Sequence, residues 1–293
     1  MTPELAGRLA EAGLRPQAVE DLVRTALAED GEADVTSEPI FPETRTSTAD
    51  FTARTDGVVA GILPALVVFE LLGVRVARAH VRDGDAVVGG QVILTVTGPT
   101  RQVLRAERTA LNLLTHLSGI ATATSRWVAA IAGTKAKVRD TRKTLPGLRA
   151  LQKYAVRCGG GVNHRMGLSD AALIKDNHIA AAGSVTLAYQ AIRARYPELH
   201  IQVECDTLDQ VAEALAAGAT SILLDNMPPI VMAEAVAIVR GRAELEASGG
   251  LTVDRARDVA VTGVDYLAVG ALTHSASVLD IGLDFHQELQ AGT

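Results

Sequence analysis

The chain has 293 residues, 48% apolar and 21% charged, with a formal net charge of −6. That profile suits a globular protein burying about three quarters of its unfolded surface, as one large domain or two modest ones. Aromatics at 3% and an acidic balance argue against a nucleic-acid binder, and two cysteines without a CxxC pair argue against a disulfide scaffold or zinc knuckle.

The opening MTPELAGRLAEAGLRP carries acids and no apolar core, which is not a signal-peptide pattern. Pro16 followed by Val19, Leu22, Val23, Ala26 and Leu27 predicts an amphipathic helix with proline in its first turn. From about Thr46 to Thr97 the period changes to that of strands, punctuated by Asp56-Gly57, Asp83-Gly84 and Gly89-Gly90, with a helix expected after Pro64. The greasiest run, Val58 to Leu72, contains Pro64 and Glu70 and is too short to span a bilayer, so a cytoplasmic enzyme with no membrane partner is expected. Gly98-Pro99-Thr100 opens a long helical stretch carrying Leu104, Leu111, Leu114, Leu117 and Trp127, with a break expected near Ser118-Gly119.

Beyond Lys137 a unit of short strand, loop and helix repeats. LAAGATSILLD (215–225) and VAVTGVDYLAVG (259–270) share a helix end, a glycine and an apolar strand. Thr207-x-x-Gln210 is a capping box, and Gly218 closes the helix that it opens. Candidate strands end near Asp140, Lys175, Glu204, Asp225, Ser248 and Gly270, at steps of 35, 29, 21, 23 and 22 residues. Such spacing gives right-handed βα units and a parallel sheet, and six or more of them favour a barrel with every strand end at one mouth.

The block from Arg139 to His178 holds eight Lys or Arg, two His and only three acids in an otherwise acidic chain. Its Thr141, Arg142, Lys143 and Lys175 fall just past strand ends, and His164 and Arg165 lie in a glycine-rich loop. Arginine forks and lysine point charges are the usual grips for carboxylates and phosphates. Arg149, Lys153 and Arg157 share a helical spacing and read as a solvated face. Asp140 and Asp225, taken singly, read more readily as helix N-caps than as ligands. Glu204, a carboxylate at the end of an apolar strand, calls for a purpose. Two carboxylates suit sugar hydroxyls or Mg²⁺, while Ser248-Gly249-Gly250 and Val269-Gly270-Ala271 suit a phosphate, or are ordinary βα loops. His80, His116, His200 and His286 have no metal-ligand spacing, and His274 reads as structural. A phosphorylated sugar pyrophosphate plus a small acid would use all three parts of this mouth.

DTRKTLPGLRALQKYAV, GGGVNHRMGLSDAALIKDNHI, VECDT, LLDNM, EASGGL and GVDYLAVGALTHS resemble the nicotinate-nucleotide pyrophosphorylase, or quinolinate phosphoribosyltransferase, family. AEDGEADVTS and RAERTALNLLTHLSGIAT extend the resemblance over nearly the whole chain, although EDGEADVTS lacks the Gly-x-Gly-Asp form of many members. The resemblance implies an α/β fold: an incomplete (β/α) barrel of six or seven parallel strands (116–274) plus an N-terminal α/β sandwich domain (1–115), completed by the tail 275–293. It implies conversion of quinolinate and phosphoribosyl pyrophosphate to nicotinate mononucleotide, pyrophosphate and CO₂, with Mg²⁺, in NAD biosynthesis. By the same resemblance Arg142, His164, Arg165 and Lys175 hold the quinolinate carboxylates, and Lys143 faces the pyrophosphate. Glu204 and Asp225 face the ribose hydroxyls and Mg²⁺; Ser248, Gly249, Gly250, Val269, Gly270 and Ala271 hold the 5′-phosphate, and Thr141 is a further substrate-binding residue. Lys143, Lys175, Glu204 and Asp225 are the expected catalytic groups. The active unit is implied to be a homodimer, with a hexamer left open, and Arg108 crosses from the neighbouring subunit.

Overall fold

The computed structural model describes residues 1–31 and 33–286, so the end of the expected 275–293 tail lies outside the described residues. In chain order the chain forms α1 (Pro3–Glu11), α2 (Pro16–Glu29), α3 (Ser37–Ile40), β1 (Thr46–Ala53) and β2 (Gly57–Val58). Then come α4 (Ile62–Leu71), β3 (Arg75–Ala79), β4 (Ala86–Val87), β5 (Val92–Pro99) and α5 (Thr100–Ala130). The second half runs β6 (Lys137–Arg139), α6 (Arg149–Cys158), β7 (Ala172–Ile174), α7 (Asp176–Ala182) and α8 (Val185–Arg195). It ends with β8 (Ile201–Cys205), α9 (Leu208–Ala216), β9 (Ser221–Asp225), α10 (Pro229–Val239), β10 (Glu244–Ser248), α11 (Ala256–Ala260), β11 (Tyr266–Ala268), α12 (Ala271–His274) and β12 (Ile281–Phe285).

Two compact units divide the chain. One comprises residues 1–123, 146–159 and 275–293, the other 124–145 and 160–274. The chain passes from one unit to the other inside α5, and the segment carrying α6 groups with the first unit. The first unit holds an antiparallel sheet in the order β12-β1-β5-β3, its core built from Phe51, Ile93, Leu94, Val96 and the apolar α4. Phe51 and Phe69 meet in a tilted ring pair with centroids 5.3 Å apart, a geometry that aromatic quadrupoles favour.

The second unit is a parallel sheet in the order β6-β11-β10-β9-β8-β7. A lone parallel bridge from Arg139 to Val162 adds a seventh rung beside β6. The sheet curls. His164, just past that rung, reaches Gln202 on β8 at 2.8 Å, although three strands lie between β6 and β8. Only side chains lining the inside of a barrel can make such a contact, and no strand closes the gap between Val162 and β7 among the described residues. Strand alternation buries Ile201, Val203, Ile222, Leu224, Leu245, Ala247 and Leu267 on one face, while Gln202, Glu204, Asp225, Glu246 and Ser248 take the other.

Three local expectations are corrected. α5 has no break at Ser118-Gly119. The Ser118 hydroxyl bonds both the N–H and the carbonyl of Ala60, each at 3.0 Å, and a methyl on Gly119 would run into the Ser277 carbonyl. The glycine serves close backbone approach and not a kink. Lys153, expected on a solvated face, is wholly buried within a helix enclosed from Leu151 to Val156. Periodicity defines a stripe on a helix but not what covers it. Asp140 caps no helix; its carboxylate accepts from the His164 N–H at 2.8 Å and the Asn163 side-chain amide at 2.5 Å, pinning the loop beyond β6.

Candidate active site

The strand order arranges the expected site residues around one rim of the second unit. Thr141, Arg142 and Lys143 follow β6, Gly270 follows β11, and Ser248 to Gly250 follow β10. Asp225 ends β9, Glu204 is the penultimate residue of β8, and Lys175 follows β7. The loop with His164 and Arg165 stands beside β6 at the open side. Arg108, by contrast, is exposed on α5 in the first unit.

The cationic half is held by its own backbone. Thr141 Oγ1 accepts from the Lys143 N–H at 3.0 Å, and the Lys143 carbonyl accepts from the Thr273 hydroxyl at 2.8 Å. A methyl on Gly270 would sit 3.0 Å from Lys143 Cδ and 3.4 Å from both Thr141 Oγ1 and His274 Nε2, so the glycine lets the lysine lie close against that strand end. Arg165 donates to the Ala171 carbonyl at 2.7 Å. Burial first, then the neighbouring Arg142 guanidinium, pull Arg165 below the usual arginine value. Neither guanidinium is paired with a carboxylate among the described residues, and each keeps a buried Nε without a hydrogen-bond partner. Two half-buried like charges with no direct ion pair, Asp170 acting on Arg165 only through its field, suit an anionic ligand.

The acidic half is partly neutralised. Lys175 Nζ donates to Glu204 Oε2 at 3.2 Å, while His178 Nδ1 accepts from the Lys175 backbone N–H at 3.0 Å and holds the lysine at the start of α7. Burial raises the Glu204 carboxyl above the usual glutamate range; Lys175 opposes that rise, and the charge of Asp225 adds to it. Two carboxylates in one another's field present an all-oxygen donor pair, which fits a hard divalent cation that keeps waters. No group of three or more His, Cys, Asp or Glu able to hold a metal occurs among the described residues. A cation at this pair would complete its shell with waters or other oxygens.

Asp225 caps no helix, since α10 begins behind Pro228 without a side-chain cap. Its carboxylate accepts instead from the Asn226 amide at 2.8 Å. Asn226 adopts φ 53°, donates its N–H to the Ser248 carbonyl at 2.9 Å, and fills the place where Gly249 would carry a Cβ. Gly249 and Gly250, at φ +90° and +57°, turn the backbone around that amide. Asn226 was not singled out from the sequence, although an asparagine between a strand-end aspartate and Pro228 is a residue type that tolerates the left-handed region. Gln202, Glu246 and Arg139 were also missed; the polar alternation in IQVE and ELEAS was the available signal.

Residues 34–118 match the family model for the N-terminal domain, and 120–284 the model for the C-terminal domain, of quinolinate phosphoribosyl transferase. The chain belongs to the quinolinate phosphoribosyltransferase family. It is 54% identical over 277 residues to the nicotinate-nucleotide pyrophosphorylase [carboxylating] of Mycobacterium leprae, covering 91% of this chain and 97% of that protein. The nicotinate-nucleotide pyrophosphorylase structure from Francisella tularensis superposes with a TM-score of 0.89 at 38% identity, covering 92% of this chain and 96% of that one. NadC from Streptococcus pyogenes gives 0.89 at 40% identity, covering 94% and 99%. Human nicotinic acid phosphoribosyltransferase, at 15% identity and a TM-score of 0.54 over 92% of this chain and 74% of that one, shares the fold alone.

Proposed function

We propose that the chain transfers the phosphoribosyl group of phosphoribosyl pyrophosphate to the ring nitrogen of quinolinate, releasing pyrophosphate and CO₂ and forming nicotinate mononucleotide for NAD biosynthesis. Family membership over both domains supports the reaction class. The observation that carries the substrate is the pair Arg142 and Arg165, without an ion pair, on the same rim as Lys175, a density of positive charge that a dicarboxylate neutralises better than nicotinate does. Arg142, Arg165 and Lys175 hold the two carboxylates and aim the ring nitrogen at the ribose C1, so much of the gain is positioning. As pyrophosphate departs, positive charge develops at C1. Lys143 neutralises the leaving oxygens, and Glu204 and Asp225 hold the ribose hydroxyls and tolerate the cation. Mg²⁺, held by Glu204 and Asp225 directly or through waters, supplies charge neutralisation of the pyrophosphate when bound. Ser248 to Gly250 and Val269 to Ala271 receive the 5′-phosphate.

After transfer the cationic ring nitrogen stabilises the carbanion left by CO₂, and Lys175 or a water returns the proton. The working unit is a homodimer in which Arg108 serves the partner's site, and the enzyme works in the cytoplasm. No helix among the described residues is long and apolar enough to cross a membrane. The test is one turnover assay following nicotinate mononucleotide and CO₂ together. Equal release of both from quinolinate is expected. Turnover of nicotinate without CO₂ would instead place the chain among enzymes that act on nicotinate.

A further inference from the structure

Inside the barrel lies a polar chain that no step above uses. Glu246 is 1% exposed and Gln202 2%, and both point inward, since their partners sit on strands that are not their neighbours. Arg139 on β6 donates to Glu246 Oε2 at 2.6 Å across β11, and stacks 3.3 Å from the Tyr266 ring centroid. Gln202 on β8 donates its amide to the same Glu246 oxygen at 3.3 Å across β9. Parallel barrels ordinarily fill this space with branched apolar side chains. A buried ion pair is a poor route to stability, because desolvation offsets its attraction. Its retention calls for a positional reason.

The directions of the hydrogen bonds supply one. A carboxylate only accepts, so Glu246 and Arg139 orient the Gln202 amide with its NH₂ towards Glu246 and its Oε1 outward. That oxygen faces His164 Nε2 at 2.8 Å, which must therefore carry a proton. His164 Nδ1 accepts from the Arg165 backbone N–H at 2.7 Å and so carries none. The imidazole is held as the neutral Nε2–H tautomer, and its free lone pair fixes the backbone of the residue whose guanidinium stands unpaired at the rim. Both ring nitrogens are thus spoken for, which makes His164 a strut and not a direct carboxylate ligand.

We propose that Glu246 and Gln202 are positioning residues for dicarboxylate recognition, acting through His164 on Arg165. The choice of ligand rests on the functional reading above; the relay itself rests on the hydrogen bonds. Nitrogen-15 NMR of His164 in the wild-type protein should show the neutral Nε2–H tautomer, and Gln202→Leu, which removes the acceptor at 2.8 Å and leaves Glu246 Oε1 at 3.6 Å, should shift the Nε2 resonance. In Gln202→Leu the KM for quinolinate should rise about tenfold, with the KM for phosphoribosyl pyrophosphate and kcat each within about twofold. A merely structural role would lower kcat with the folded fraction and leave both KM values alone. If Gln202→Leu does not fold, Glu246→Gln, which keeps the volume, is expected to give the same split.

The Nδ1–H tautomer in wild type would overturn the relay. So would an unchanged quinolinate KM in the folded variant, or equal rises in both KM values. A wild-type protein that ignores quinolinate yet shows the expected tautomer and the Nε2 shift in Gln202→Leu would sink the functional reading and leave the relay standing.

Discussion

Residue by residue, the rim divides its charges unequally. Lys175 and Glu204 offset each other at 3.2 Å, whereas Arg142 and Arg165 form no ion pair among the described residues, Asp170 acting on Arg165 only through its field. Replacing Lys143 or Glu204 by alanine should leave far-ultraviolet dichroism and the unfolding midpoint near wild type. It should reduce kcat/KM by about 10²–10³-fold, the range for removing one preorganised electrostatic group. Near-wild-type rates in both variants would remove these residues from the chemistry. The two thiols lie at the other extreme. Burial pushes Cys158 up to about 11 and Cys205 to about 12, so little thiolate exists near neutrality. Neither should react with a disulfide reagent at about pH 8 in the native protein, and both should react in guanidinium. Rapid native labelling would contradict the burial of Cys205 and the raised value of the half-buried Cys158.

At the scale of elements, punctuation was legible wherever the controlling interaction is local. The Thr207–Gln210 capping box forms as read, and the helix that it opens closes ahead of Gly218 at φ +94°. All six barrel strands end within two residues of their expected positions, because an apolar run followed by a polar or glycine residue reports burial directly. The continuous α5 was not legible. Gly119 looks like a helix breaker until the chain segment at Ser277 and Val278 is seen to lie against it. Gly119→Ala should therefore destabilise the protein, by about 1–3 kcal/mol in urea unfolding, although alanine is the better helix former. A gain in stability would mean that the approach is looser than the 2.8 Å between the built methyl and Val278 Cα implies.

For the molecule as a whole, the proposed dimer makes a quantitative demand. Arg108 sits on α5 in the first unit, while the other site residues line the barrel unit. If Arg108 serves the partner's site, an equal mixture of Arg108→Ala and Lys175→Ala proteins, each inactive alone, forms hybrids with one intact site. Activity should return to about a quarter of wild type after subunit exchange, since half the dimers are hybrids and each keeps one of two sites. No recovery with exchange demonstrated would argue against a shared site.

By itself the sequence determined the parallel βα order, the rim residues and the family, because each rests on short-range spacing: strand ends, caps and motif blocks such as DTRKT and LIKDNHI. Only the tertiary structure decided which charges lack a partner, that Lys153 is buried while Arg157 is exposed, and that Asp140 and Asp225 pin loops instead of capping helices. It also decided that Arg139, Gln202, Glu246 and His164 meet inside the barrel. That last outcome depends on contacts between strands that are neither consecutive nor adjacent. Curvature of the sheet sets such contacts, and no local period in the chain encodes them.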